Sequence, residues 1–137
     1  MNLGSRPKSG LGRFVYCHLP AILYAAAIIA VSSIPNLKGP TLKLVAFDKV
    51  AHLLEYAVFA WLAIRAFSNM GPRVGVNQAF FLAALFVSLF AVFDEYYQRF
   101  VPGRQFDIFD ILIDVCGAML VLIWFRARNK KVNQTTD

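Results

Sequence analysis

Residues 47–67 read FDKVAHLLEYAVFAWLAIRAF, and this stretch decides the fold. Its 21 residues, rising 1.5 Å each as a helix, match the roughly 30 Å of hydrocarbon in a bilayer. From Tyr56 to Ile64 nothing is charged, whereas the opening turns carry Asp48, Lys49, His52 and Glu55. Asp48, His52, Glu55 and Tyr56 stand at i, i+4, i+7 and i+8, which is one continuous helical face. The stretch reads as a membrane span with polar groups gathered at one end of one face.

Working outward, three further runs have the same character. The sequence predicts spans over about 14–34, 47–67, 76–99 and 108–125, separated by turn compositions such as Pro35-Asn36 and Pro102-Gly103-Arg104. Of the 137 residues, 58% are hydrophobic and only 16% charged, against about a quarter charged in soluble domains. The fold class expected is an all-α membrane protein, a four-transmembrane-helix bundle, with no room for a soluble catalytic domain. It divides into a basic N-terminal segment (1–13), the transmembrane domain (14–125) and a basic, polar tail (126–137). The first run is longer than the 7–15 residues of a signal-peptide core and reads as a retained span.

Basic residues set the orientation. Arg6, Lys8, Arg13, Arg65, Arg73, Arg126, Arg128, Lys130 and Lys131 fall on one side, nine in all. Lys38, Lys43, Lys49, Arg99 and Arg104, five in all, fall on the other. The positive-inside rule then makes both termini cytoplasmic. The net charge of +6 is accounted for by anionic headgroups, without nucleic acid.

Every span brings its polar residues to the outer end. Asp107, Asp110, Asp114 and Gly117 share a face of the fourth span, Asp94, Glu95, Gln98 and Arg99 close the third, and Ser32-Ser33 close the first. By helical rise Asp114 lies about 10 Å below Asp107. A charge at the centre of a span costs on the order of 3 kcal/mol even on the lenient scale, so these groups face the bundle interior or a wet cavity. Asp48, Glu55, Asp94, Glu95, Asp107, Asp110 and Asp114 are seven of the eight acids in the chain. Carboxylates so crowded cannot all ionise in a low dielectric; protons, a cation or a cationic ligand group must compensate.

Simpler roles are expected for several residues. Glu95 and Arg99 are spaced as an intrahelical pair, and Lys49 reads as a marker of the headgroup boundary. Arg104 is expected to pair with Glu95, Asp94 or Asp110. Gly117 and Ala118 suit close helix packing. Cys17 and Cys116 differ in depth by roughly 10 Å, too far for a disulfide, and read as buried small side chains. No metal-binding motif is present in the spacing, and neither a metal nor another cofactor is expected.

Taken together, Ser33-Ile34-Pro35, Asp48-Lys49-x-x-His52-x-x-x-Tyr56, Asp94-Glu95-x-x-Gln98-x-x-x-Pro102-Gly103-Arg104 and Asp110-x-x-x-Asp114-x-x-Gly117 resemble the VanZ-like family. That pattern has Asn where this chain has Asp114. The resemblance implies a candidate polar site of Ser33, Asp48, His52, Tyr56, Asp94, Glu95, Gln98, Arg104, Asp110 and Asp114. It also implies a bacterial inner (cytoplasmic) membrane setting. The family takes its name from a member linked to resistance against teicoplanin, a lipoglycopeptide antibiotic that attacks the cell wall.

The first functional expectation is therefore a non-enzymatic binding protein. Its outward-facing pocket would meet membrane lipid, a lipid-linked cell-wall precursor or a lipoglycopeptide, and a homo-oligomer is compatible with this. The alternatives are a membrane-embedded enzyme pairing His52 with Glu95 or Asp94 as acid and base, and a proton-coupled permease or permease subunit relaying through Asp114.

Overall fold

The computed structural model describes residues 10–36 and 42–134, with side chains for 10–36 and 47–129. The basic N-terminal segment through residue 9, Lys38, and the side chains of Lys43, Lys130 and Lys131 lie outside the described residues. All regular structure among the described residues is helical. Four helices are long and apolar enough to cross a membrane, and the protein is a multi-pass membrane protein.

Helix α1 (Gly10–Ser32) contains a π-helical stretch at Phe14–His18. α2 spans Leu42–Phe67, α3 Val76–Gln98 and α4 Ile108–Gln134. Each boundary has a chemical cause. Pro35 cannot continue α1, and Asn36 turns the chain with a φ of 57°. At the end of α2 the Asn69 amide donates to the orphan carbonyl of Arg65 at 2.7 Å. Asp107 caps α4, its Oδ1 accepting the Phe109 N–H at 2.9 Å.

α2 and α4 make the most extensive contact, followed by α3 with α4 and α2 with α3, while α1 lies against α2 and less closely against α3. Gly117 explains the central pair. A Cβ on Gly117 would run into the backbone carbonyl of Leu53, so only glycine lets α4 approach α2 this closely. Ala79, Ala83, Val87 and Ala91 form a fully buried small-residue stripe on α3. Phe59, packed on Phe90 with ring centroids 4.9 Å apart, fills the centre with Ile28, Ile64 and Leu122. Large apolar side chains such as Phe81, Leu85, Leu89 and Leu120 point outward, as a lipid-facing surface requires.

One expectation changes here. Cys17 is buried, but Cys116 is exposed, because two residues beyond Asp114 is roughly 200° round the helix from the interior stripe. Arg65 donates to the Tyr16 carbonyl at 2.6 Å and lies over the Tyr16 ring. This ties α2 to the π-helical stretch of α1.

Candidate functional site

The interior stripes change character along their length. On α3 the alanine row continues into Asp94, Glu95 and Gln98, and on α2 the row of Phe59 and Ala63 leads back to Tyr56 and His52. On α4 the stripe runs from Leu122 and Ala118 to Asp114 and Asp110. Ser32, His52, Asp94, Glu95, Gln98, Asp110 and Asp114 are all buried, so the four helices meet in one polar cluster at one end of the bundle.

The bonds within it are specific. His52 Nδ1 lies 3.1 Å from Asp114 Oδ1, joining α2 to α4. Lys49 donates to Asp107 Oδ2 at 2.9 Å and also to Asp110 Oδ1. Ser32 donates to Asp94 Oδ2 at 2.9 Å, joining α1 to α3, and the Gln98 amide reaches both Ser32 and Asp94 at 3.4 Å. The Glu95 carboxylate accepts the backbone N–H of Asp107 at 2.6 Å, joining α3 to the start of α4. Asp107 is thereby held from three directions, and its Lys49 bond and the Phe109 N–H keep its carboxyl below the usual range. Asp48 is exposed at the rim, and Glu55 is half-buried with no hydrogen bond among the described residues.

The Pro102-Gly103-Arg104 turn folds across the end of α1. Asn36 N–H donates to the Pro102 carbonyl at 3.0 Å. Gly103 has a φ of +79° and a Cβ there would strike Asn36, which explains the glycine on both counts.

Three pairings expected from sequence are corrected. Arg104 pairs with none of Glu95, Asp94 and Asp110; it donates to the Val31 carbonyl at 3.2 Å. Those acids already hold nearer donors, and the guanidinium instead meets the electronegative C-terminal end of α1. Glu95 does not pair with Arg99, whose guanidinium lies over the Tyr96 ring, because Glu95 points inward at 1% exposure. His52 is joined to Asp114 rather than to Glu95 or Asp94, since the α2–α4 contact is the close one. Ser33 bonds the Ile29 carbonyl and Tyr97, so the serine inside the cluster is its neighbour Ser32.

Sequence reasoning left Lys49 and Asp107 out of the site. The signal for Lys49 was present, since it stands three residues before His52 on the same face. Among the described residues three buried polar atoms here have no hydrogen-bond partner: Tyr56 Oη, Asp94 Oδ1 and Arg104 Nε.

A four-span helical bundle that buries a histidine and a ring of carboxylates at one end defines a polytopic membrane protein built around a polar intramembrane site. The VanZ/LLP1 family model matches residues 11–129, and the chain belongs to that family. No curated protein and no solved structure matches it.

Proposed function

We propose that this VanZ/LLP1 protein binds the headgroup of a lipid-linked or lipid-like cell-envelope amphiphile. The pocket opens outward from the bacterial cytoplasmic membrane, and the protein contributes to tolerance of lipoglycopeptides such as teicoplanin. The observation that carries this reading is the trio of unpartnered buried atoms. Tyr56 Oη and Arg104 Nε can donate and Asp94 Oδ1 can accept, and buried polar groups ordinarily have partners. A polar headgroup, with its chain in the adjoining lipid, supplies what the protein does not. The distribution of basic residues, nine against five, supports the outward orientation.

The test uses the full chain expressed in a teicoplanin-susceptible strain, together with native mass spectrometry of the purified protein for retained lipid. Wild type is expected to raise teicoplanin tolerance and to carry lipid. Tyr56→Phe and Asp94→Asn, at equal membrane levels, are expected to lose both. Unchanged tolerance and lipid retention in both variants would overturn the reading. Reporter fusions should place both termini in the cytoplasm and residues 36–41 outside; a cytoplasmic signal there would move the pocket to the inner face.

The His52–Asp114 pair favours an enzyme as the second reading, because a carboxylate behind an imidazole is how an acid–base histidine is oriented. Turnover of the retained lipid, lost in His52→Ala, would promote it.

A further inference from the structure

We propose that the mouth of the polar cluster is a binding site for a divalent transition-metal cation of the zinc type, held by Asp48, His52 and Asp110. Each of these residues offers a ligand atom, and the three atoms lie within 4.8 Å of one another. Zinc bonds to nitrogen and carboxylate oxygen of about 2.0–2.2 Å put neighbouring ligands about 3.4 Å apart in a tetrahedron. The three must therefore draw together by at most about 1.4 Å, and Asp48, exposed and without a hydrogen bond among the described residues, has the freedom to move.

The surroundings are those of a metal site. Nδ1 of His52 lies 3.1 Å from the buried Asp114, and among the described residues Nε2 has no hydrogen bond, so Nε2 is the nitrogen available to an ion. A carboxylate behind a ligating imidazole fixes its tautomer and raises its basicity. Asp110 Oδ1 accepts from Lys49, and among the described residues its second oxygen has no hydrogen-bond partner. One imidazole and two carboxylates suit zinc or manganese better than calcium or magnesium, which take oxygen alone. They also leave a coordination position open for water or a ligand group.

A second observation, separate from the ligand geometry, points the same way. One turn deeper on the same face of α2, the Tyr56 hydroxyl is fully buried, has no partner and stands within electrostatic reach of Asp94 and Asp114. Water on an ion held one turn above, like the headgroup proposed above, would supply the partner that the described residues do not offer this hydroxyl. The charge count agrees. Seven acids stand against Lys49, Arg99 and Arg104 in the polar stretches of the chain, and a doubly charged ion offsets the excess without dismantling the network. Lys49 is the built-in competitor, since its ammonium already occupies one oxygen of Asp110.

The site does not depend on the lipid reading, because ion binding is measured on the protein alone. The experiment titrates Zn²⁺ into full-length, tag-free, metal-stripped protein in detergent by calorimetry, with competition against a chromophoric chelator. Wild type is expected to bind about one ion per chain, with Mn²⁺ weaker and Mg²⁺ undetectable. His52→Ala and Asp110→Asn are expected to abolish binding. Should either fail to fold, Asp48→Asn at the exposed rim decides the matter. It should weaken binding by at least the ~10-fold that even an outer-shell partner is worth, with unchanged helix content. Asp114→Asn should cost about 10–100-fold, Lys49→Met should tighten binding, and His18→Ala should change nothing. Absence of saturable Zn²⁺ binding by wild type, or wild-type affinity in folded Asp48→Asn, would overturn the proposal.

Discussion

The two ends of this bundle are built on the same interior stripes and held by different forces. In the apolar half, Ala79, Ala83 and Val87 of α3 face Phe59, Ile64 and Leu122, every one fully buried. Lipid tails are as apolar as these side chains, so burial from water drives nothing there, and association depends on how closely small residues let backbones approach. In the polar half, the same stripes carry His52, Asp94, Glu95, Asp110 and Asp114, and hydrogen bonds join α1 to α3, α2 to α4 and α3 to α4. Each ionised group there costs on the order of 3 kcal/mol to insert. The apolar half is the scaffold. The polar half is where stability is given up to keep ionisable groups inside the bundle.

The largest effect is expected at Gly117, where the two halves meet. Gly117→Leu should separate α2 from α4 and cost about 3 kcal/mol or more, with Gly117→Ala intermediate. Thermal unfolding in detergent and the monodispersity of the solubilised protein measure it; a leucine variant with wild-type stability would show that the Leu53 carbonyl is not the limiting contact.

A second effect sharpens the contrast within the polar half. Hydrogen bonds between transmembrane helices average about 0.6 kcal/mol. A double-mutant cycle on His52→Ala and Asp114→Ala should give a coupling above about 1 kcal/mol, because both partners are buried in a low dielectric. Additive losses in steric-trap or denaturant unfolding would reduce the pair to two independent packing residues.

Acid should act on the polar half alone. The Asp107 carboxyl titrates below its ordinary range because of Lys49 and the Phe109 N–H. A group with a depressed native pKa contributes stability above its unfolded value and loses it as pH falls through the native one. Melting temperature should therefore decline on the acid side of the ordinary carboxylate range, and the decline should flatten in Asp107→Asn or Lys49→Met. The effect is small because Asp107 is 40% exposed. An unchanged acid limb in both variants would remove the Lys49 clamp from the account.

The smallest change is expected at Arg104. Among the described residues its guanidinium makes one hydrogen bond, to a backbone carbonyl, which an ammonium can also make. Arg104→Lys should cost about 1 kcal/mol in thermal unfolding. A loss of several times that size would mean that the planar fork is needed, by a ligand or by an acid.

How far the site could be read beforehand differs residue by residue. His52, Asp94, Asp110 and Asp114 were legible because charges inside apolar runs have few reasons to be there. The serine was misplaced by one residue, since Ser32 and Ser33 lie about 100° apart round α1 and no local pattern says which faces α3. Arg104 was misassigned because charge complementarity lists possible partners without saying which of them are already engaged.

The sequence by itself determined four spans, the end at which polar groups collect, and the glycine needed for close packing. Those follow from local rules: 1.5 Å of rise per residue, a fixed hydrocarbon thickness, and about 100° of rotation between neighbours. Only the tertiary structure decided that His52 meets Asp114, that Lys49 bridges Asp107 and Asp110, and that Asp48, His52 and Asp110 come within ligand distance. Those partners stand about 60 residues apart in the chain, and their meeting depends on the rotation and depth at which α2 and α4 pack, which the close approach of Gly117 to Leu53 sets.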